Sequence, residues 1–530
     1  MLVNLESLPL RDKVAQLIIA RLGSNMPPGI TVEEDVARME ELLERCPLGG
    51  LIVFNGDISS APQALARLQA NAKYPLLIAS DIERGFGQQF RGGTVFPHAM
   101  AYSALGEEAE DLLEESARVT AREALACGVH IAFAPVADIN RNIANPIIST
   151  RAFATEPAQA ARLIRAYIRG CHAEGLMATA KHFPGHGNTS EDSHDRTPVV
   201  HSPRVELDAL DLVPFRAAIE EGVDLIMTAH VAFPALDSSG LPATLSRRIL
   251  NDLLRNELHF QGAVITDSML MGAVRGEDVD VGAQAVALLK AGVDIILDPP
   301  DSEKIVEGVV QAVEQGMLDE TRIDEALSRV GVLKQCLVER FGAQFFTNPG
   351  SHFSLSDVGS ATSHDLAERV ALRAVTVVSS QAGILPLDPV RVSEEGFLAI
   401  LIKPWRSRLD PPEAPLGEAI QKTFPGARYV EVGPETGPAT LDELRHQAGG
   451  VGHVLVAMVV KPAAWQLYGL LPEQKRFVED LVAERPVILA SLGSPYALND
   501  FPRAAARLCT FSDVPVSQEA LVSMLAGKKA

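Results

Sequence analysis

The densest group of chemically capable side chains lies in one short segment, residues 181–198. It reads Lys-His-Phe-Pro-Gly-His-Gly-Asn-Thr-Ser-Glu-Asp-Ser-His-Asp-Arg-Thr-Pro, with three histidines, one lysine and three acidic residues in its first 15 positions. Asp192 and His194 stand two positions apart, so on a loop the carboxylate can hydrogen-bond one imidazole nitrogen and leave the other to transfer a proton. The spacing predicts a general acid/base pair, and the simpler alternative is a solvated polar loop.

A second candidate is Asp267, which ends the apolar run Gly262–Asp267. An aspartate in this position can serve as a nucleophile or a ligand, although it can equally cap the helix that follows. The same pattern recurs, because most apolar runs in the first half of the chain end in a polar or ionisable residue. These residues are Asp81, Asp138, Lys181 with His182, His230, Asp267 and Asp298.

Eight short apolar runs alternate with longer helical patterns over residues 1–335, which predicts a (β/α)8 barrel. In such a barrel the carboxyl ends of all strands share one rim, where barrel active sites lie, so the polar strand ends are expected to meet there. An open doubly wound sheet is the structural alternative, but no glycine-rich phosphate loop follows the first strand. The predicted strands are Gln16–Arg21, Gly49–Phe54, Pro75–Asp81, His130–Asp138, Met177–Phe183, Asp224–His230, Gly262–Asp267 and Asp294–Asp298.

The remainder of the chain predicts a second, smaller α/β domain of the doubly wound type. We expect a catalytic barrel over 1–340, a linker and connecting helix over 341–374, and a C-terminal domain over 375–530. The strands expected in that last part are Val375–Val378, Phe397–Ile402, Val454–Val460 and Pro486–Leu492.

Composition argues against several classes of partner. The 530 residues include 68 acidic and 47 basic side chains, a formal net charge of −21, so neither nucleic acid nor an anionic membrane is expected to bind. The five cysteines lack paired spacing, which disfavours a disulfide framework or a structural zinc site. Neither a leader-like N-terminus nor a membrane-length apolar run is found, so we expect a soluble cytoplasmic protein.

Residues 181–187 (Lys-His-Phe-Pro-Gly-His-Gly), together with Asp192-Ser-His194 and Pro198, closely resemble the bacterial β-N-acetylhexosaminidases of glycoside hydrolase family 3. The resemblance covers essentially all of residues 1–335, and the C-terminal half more weakly resembles the second domain of two-domain members. Other matching stretches are Asp81–Gly85, Phe133–Asp138, Asn145-Pro146, Arg151–Phe153, Ala229-His230, Ile265–Asp267 and, in the second domain, Ser491–Tyr496.

This resemblance implies a cytoplasmic enzyme of peptidoglycan recycling that removes β-linked N-acetylglucosamine from a small carbohydrate substrate without a cofactor or metal. Asp267 matches the nucleophile that forms a covalent glycosyl-enzyme, and His194, oriented by Asp192, matches the general acid/base. The oligomeric state is left open. Residues matched to sugar binding, or expected beside the sugar, are Asp81, Arg151, Lys181, His182, His230 and Asp138.

The sequence also departs from the pattern that the resemblance implies. Ile82 and Arg84 stand where the peptidoglycan-recycling type has Gln and Gly, and Ser268 replaces an acidic residue after the nucleophile. These differences leave the natural substrate open, and a phosphorylase or a β-glucosidase of the same family remains an alternative. More distant alternatives are a non-catalytic sugar-binding protein and a metallohydrolase with ligands from His182, His186, His194, His230 and Asp267.

Overall fold

The computed structural model describes residues 5–189, 197–271, 280–406, 413–462, 466 and 468–528. The chain forms two compact units, each assembled from segments that are not continuous in sequence. The first unit comprises Met1–Thr94, Leu113–Arg141 and Ala154–Ser363, and the second comprises Val95–Leu112, Asn142–Phe153 and His364–Ala530.

The first unit is built on a ring of eight parallel strands in the described part of the chain. Neighbouring strands follow the order β8-β1-β2-β3-β4-β5-β6-β7, and a parallel bridge between Ile265 and Ile295 brings the two ends of the sheet together. The predicted (β/α)8 barrel is thereby confirmed. The strands are β1 Ile18–Leu22, β2 Gly50–Val53, β3 Leu77–Ser80, β4 Ile131–Ala132, β5 Met177–Phe183, β6 Leu225–Thr228, β7 Ala263–Thr266 and β8 Ile296–Leu297.

These strands are mostly apolar because the barrel interior covers one face and the surrounding helices cover the other. Every residue of β7, for example, is buried. The helices begin at side-chain caps in several places, such as the capping box formed by Thr31 and Glu34. Their bounds are Leu10–Ala15, Val32–Arg45, Ala61–Asn71, Ala109–Ala126, Pro157–Glu174, Arg204–Ala209, Leu212–Glu220, Arg248–Glu257, Val281–Ala291, Ser302–Glu314 and Glu320–Phe341.

Strand β4 is much shorter than the predicted run His130–Asp138. Its regular part ends at Ala132, and the rest of the run continues beside β5 as irregular chain that forms a single bridge between Val136 and Lys181. Pro135 interrupts the ladder because proline has no backbone N–H to donate. The irregular extension still carries Asp138 to a position beside the end of β5, which matters for the site.

The second unit contains a six-stranded sheet in the described residues, with helices in the connections between strands. Its order is β9-β14-β13-β12-β10-β11, and all pairs are parallel except β9 with β14. Its strands are β9 Thr376–Ser380, β10 Phe397–Ile402, β11 Arg428–Val432, β12 His453–Met458, β13 Ile488–Ser491 and β14 Ala506–Cys509. Its helices are Ala361–Ala374, Pro389–Glu395, Pro415–Thr423, Pro438–Gly449, Pro472–Glu484 and Pro515–Leu525. Across the described residues, none of the helices has the length and apolar character that a membrane span requires.

Candidate active site

The carboxyl ends of the barrel strands bring most of the expected site residues into one connected group. Direct contacts join Lys181 to Asp81 and His182 to Asp138, and His182 also approaches Asp267. The group consists of Asp81, Asp138, Lys181, His182, His230 and Asp267.

Asp267 follows β7, and among the described residues only one of its carboxylate oxygens is held by a hydrogen bond. Its Oδ1 accepts a hydrogen bond from the backbone N–H of Ser268 at 2.8 Å, and its Oδ2 lies 3.8 Å from Nε2 of His182. One fifth of the side chain is exposed. The helix-cap alternative does not apply, because the next described helix is capped by Asp280.

The surroundings of Asp267 favour its ionised form. Burial alone would raise the pKa of this carboxyl, but its electrostatic interactions with His182 and His230 outweigh burial and hold the pKa below its ordinary value. The Ser268 amide and Lys181 act in the same direction. A partly exposed carboxyl group whose pKa is held low, with one oxygen outside hydrogen-bonding distance of the His182 ring, has the properties of a nucleophile.

His182 is oriented from behind by Asp138. The Oδ2 atom of Asp138 accepts from Nδ1 of His182 at 2.7 Å and from its backbone N–H at 3.1 Å, while Oδ1 accepts from the backbone N–H of His186 at 2.5 Å. Because Asp138 is fully buried, it acts on the neighbourhood of Asp267 through the imidazole of His182, whose Nε2 faces the carboxylate.

His230 uses both ring nitrogens to brace the chain around the nucleophile candidate. Its Nδ1 lies 2.8 Å from Oγ1 of Thr244, and its Nε2 lies 3.2 Å from the carbonyl oxygen of Ser268. Since a carbonyl oxygen only accepts, the proton is assigned to Nε2. Burial lowers the pKa of His230, although the charge of Asp267 opposes this effect.

Lys181 lies between two carboxylates, with Nζ 2.7 Å from Asp81 Oδ1 and 2.8 Å from Glu83 Oε1. The lysine is buried, whereas the Asp81 side chain keeps partial exposure. An ammonium group flanked by two carboxylates presents a donor and acceptors side by side, which suits neighbouring hydroxyl groups of a polar ligand.

The segment expected to carry the acid/base pair leaves β5 through a tightly packed turn. A Cβ added at Gly187 would lie 1.6 Å from the carbonyl oxygen of Ile139, so only glycine fits there. His186 is buried in the same turn with Nδ1 2.9 Å from Thr189 Oγ1, and burial lowers its pKa to about 4. Asp192 and His194 themselves lie outside the described residues.

Arg151 belongs to the second unit, where it ends a short 3-10 turn and donates a hydrogen bond to the carbonyl oxygen of Ile147 at 3.0 Å. Its expected contact with sugar stays a prediction.

Comparison with known proteins decides the family. The sequence matches the Glycosyl hydrolase family 3 N terminal domain over residues 9–333. The chain belongs to glycosyl hydrolase family 3. It is an enzyme of the glycoside hydrolase class, and the family resemblance noted from the sequence is confirmed.

Relatives of this family 3 chain include proteins matched over nearly its whole length. A β-N-acetylglucosaminidase/β-glucosidase from Cellulomonas fimi is 29% identical, with 94% of this chain and 90% of that protein covered. A β-hexosaminidase from Stenotrophomonas maltophilia R551-3 is 38% identical over 51% of this chain and 81% of its own length. The solved family 3 β-N-acetylglucosaminidase from Paenibacillus sp. FPU-7 superposes with a TM-score of 0.86 at 32% identity, covering 99% of this chain and 98% of that one.

Within the described ranges, no three His, Cys, Asp or Glu side chains are grouped so that they could hold a metal ion. Arg21 was not predicted from the sequence as a site residue; it lies near the end of β1 and pairs with Asp298, which directly follows β8. The polar strand-end pattern, applied to the first strand, contains the signal that would have identified it.

Proposed function

We propose that this family 3 enzyme is a retaining exo-β-N-acetylglucosaminidase that uses Asp267 as its nucleophile and a His194–Asp192 pair as its acid/base. The observation that carries the proposal is the environment of Asp267, a carboxyl group of lowered pKa at the barrel rim with one oxygen anchored and the other without a direct hydrogen bond from any described residue. The names of the Cellulomonas and Paenibacillus relatives support the N-acetylglucosaminide as substrate.

In the first step, a carboxylate oxygen of Asp267 attacks the anomeric carbon and the bond from that carbon to the leaving-group oxygen breaks. His194 gives its proton to this oxygen, which departs as the alcohol. In the second step, His194 takes a proton from water, the water oxygen attacks the anomeric carbon, and Asp267 is released. Two displacements return the sugar with its original β-configuration.

Sugar recognition is assigned to polar groups at the same rim. Asp81 and Lys181 are proposed to bind sugar hydroxyls, since both lie in the carboxylate–ammonium cluster at the end of β3 and β5. His182 is proposed to contact the ring next to the reacting carbon. Asp138 and His230 are proposed to act on the sugar only indirectly. Asp138 accepts a hydrogen bond from His182, and His230 donates one to the carbonyl oxygen of Ser268.

The test compares wild type with Asp267→Asn and His194→Ala on p-nitrophenyl β-N-acetylglucosaminide. Loss of the nucleophile should lower kcat by more than about 10³-fold, and loss of the acid/base by about 10²–10⁴-fold. Azide should restore turnover of His194→Ala and yield a β-glycosyl azide, since the small anion needs no general base. Asp280→Asn is the matched control, because this aspartate lies in the same strand–helix connection but caps a helix. Full activity of Asp267→Asn would refute the proposal.

The same assay separates the alternatives. A β-glucoside turned over more than tenfold faster than the N-acetylglucosaminide would refute the assigned sugar and leave the mechanism in place. Product identified as sugar 1-phosphate in phosphate buffer, with little hydrolysis in its absence, would make the enzyme a phosphorylase.

We also propose that the enzyme is cytoplasmic and acts on peptidoglycan fragments. The proposed domain bounds are 1–340 for the catalytic domain, 341–374 for the connecting region and 375–530 for the C-terminal domain. All five cysteines are free thiols, which agrees with a reducing compartment. Cell fractionation and accumulation of muropeptides on deletion of the gene test the first two points, and limited proteolysis tests the boundaries.

A further inference from the structure

Ser268, the residue directly after the nucleophile, engages a different partner with each of its polar groups. Its backbone N–H donates to Asp267 Oδ1 at 2.8 Å, and its hydroxyl donates to Asp298 Oδ2 at 2.6 Å. Its carbonyl oxygen accepts from His230 Nε2 at 3.2 Å. The peptide units on both sides of Ser268 are therefore held in place, and the amide that anchors the nucleophile has a defined direction.

Asp298 anchors this arrangement from the neighbouring strand. Its side chain is only 2% exposed, and it accepts from Arg21 through Nε at 3.0 and 3.1 Å and through Nη2. Arg21 comes from β1, and its guanidinium lies 4.9 Å from the ring centroid of Phe54. A buried carboxylate needs such a cation to stay ionised, since burial otherwise favours the neutral acid.

The backbone conformation of Asp298 is a second, independent indication that the position of this side chain is constrained. Its φ of +52° lies in the left-handed region, which non-glycine residues rarely adopt. The chain leaves β8 in this conformation while the carboxylate is turned toward both Ser268 and Arg21. Ser268 after β7, Asp298 after β8 and Arg21 in β1 are thus joined by hydrogen bonds across three adjacent strands.

We propose that Arg21 and Asp298 are positioning residues for glycoside hydrolysis, and that they act through Ser268 to fix the direction in which Asp267 presents its free oxygen. The inference rests on the proposed role of Asp267 as nucleophile. A carboxylate can rotate about two side-chain bonds, and the Ser268 amide removes that freedom by holding Oδ1. Misplacement of a reacting group by about 1 Å can cost roughly 10²-fold in rate, so this anchoring is expected to affect kcat.

The same geometry explains why serine suits position 268 in this chain. A carboxylate there would face the carboxylate of Asp298 at hydrogen-bonding distance, whereas a hydroxyl supplies the donor that Asp298 requires. We therefore expect Ser268→Asp to be more harmful than Ser268→Ala, although aspartate is the bulkier and more polar replacement.

The experiment measures kcat and KM for Ser268→Ala, Ser268→Thr and Asp298→Asn on the chromogenic N-acetylglucosaminide. Ser268→Ala and Asp298→Asn should lower kcat by about 10- to 100-fold with KM within threefold, and Ser268→Thr, which keeps the hydroxyl, should remain within threefold of wild type. Ser246→Ala is the matched control. It removes a buried serine hydroxyl that donates to Asp237 at 2.5 Å, at a site with no contact to Asp267, and should keep its kcat.

A pH profile distinguishes positioning from a purely structural role. Among the described residues, the charged or titratable groups around Asp267 are Lys181, His182, His186, His230 and Asp298. In Asp298→Asn the negative charge is lost and the guanidinium of Arg21 is left uncompensated, which favours ionised Asp267. The acidic limb of kcat/KM should then move to lower pH, whereas the Ser246→Ala profile should match wild type.

The outcomes separate this inference from the proposed function. Trapping with a 5-fluoro N-acetylglucosaminyl fluoride followed by peptide mass spectrometry should label Asp267, and a label elsewhere would refute the proposed function itself. If Asp267 is labelled but Ser268→Ala and Asp298→Asn keep the wild-type kcat and pH profile, the positioning role is refuted. An equal fall in kcat for Ser246→Ala, or no recovery in folded Ser268→Thr, would refute it as well.

Discussion

Replacing Asp138 with asparagine tests how strongly the site depends on the orientation of His182. The carboxylate accepts three hydrogen bonds, from Nδ1 and the backbone N–H of His182 on one oxygen and from the backbone N–H of His186 on the other. An amide of the same shape has one acceptor oxygen and one NH2 group. Whichever way it turns, the NH2 group must face a buried donor.

The size of the effect follows from this arrangement. A buried donor left without an acceptor costs about 1–3 kcal/mol, and a hydrogen bond to a charged group contributes about 1.5–3 kcal/mol. We therefore expect Asp138→Asn to lower the free energy of unfolding by about 2–4 kcal/mol, since the variant keeps part of the network. The imidazole of His182 loses its fixed direction toward Asp267, so kcat/KM should fall about 10²-fold.

Urea denaturation and steady-state kinetics at 25 °C measure the two effects separately. Asp294→Asn is the control, because Asp294 is a fully buried carboxylate at the opposite end of β8 that accepts from three arginines and from the Val264 amide. It should lose stability and keep kcat/KM. An Asp138→Asn variant that loses stability but retains kcat/KM within threefold of wild type would contradict the role assigned to His182.

Three further predictions concern other buried groups. Burial raises the pKa of Asp211 to about 6 from 3.8, so the folded state binds this proton more tightly than the unfolded state does. In denaturation experiments, wild type should therefore lose stability relative to Asp211→Asn as the pH rises from about 4 to about 6. Burial lowers the pKa of Lys334 to about 7 from 10.5, so the unfolded state binds this proton more tightly than the folded state does. Wild type should therefore gain stability relative to Lys334→Met as the pH rises from about 7 to about 10.5, and a difference in unfolding free energy that does not change with pH would contradict this. Gly187→Ala places a methyl group against the Ile139 carbonyl oxygen, and kcat should fall at least tenfold while Gly437→Ala, at an open position, should keep wild-type kinetics.

The sequence predicts the barrel well because its signal is local. Each of the eight strands lies within the predicted run or within one residue of it, since short buried β-branched segments are distinctive by themselves. Two strands of the second unit were not predicted. Arg428–Val432 is a partly exposed edge strand with charged residues, and Ala506–Cys509 is short and has no β-branched residue, so neither shows the expected pattern.

The site is predictable in composition but not in its pairings. Polar strand ends identified Asp81, Asp138 and Asp267 because a parallel barrel gathers those ends at one rim. That Asp138 bonds His182 depends on the irregular chain after β4 running beside β5, with Val136 bridged to Lys181, and no local pattern encodes this register. The membership of Val95–Leu112 and Asn142–Phe153 in the second unit is likewise a property of tertiary packing.

What distinguishes Asp267 from the other carboxylates at the rim is the way its charge is balanced. Asp81 and Glu83 share Lys181 at 2.7 and 2.8 Å, Asp138 has a histidine nitrogen at 2.7 Å, and Asp298 is bonded by Arg21. The Oδ2 atom of Asp267 instead lies 3.8 Å from Nε2 of His182, beyond hydrogen-bonding distance. Burial raises the pKa of Asp267, but its electrostatic interactions with His182 and His230 outweigh burial and lower the pKa, while Nε2 of His182 stays too far away to occupy the carboxylate lone pairs. The carboxylate is thus kept ionised while one oxygen stays available for bond formation, which is the combination that a covalent mechanism requires.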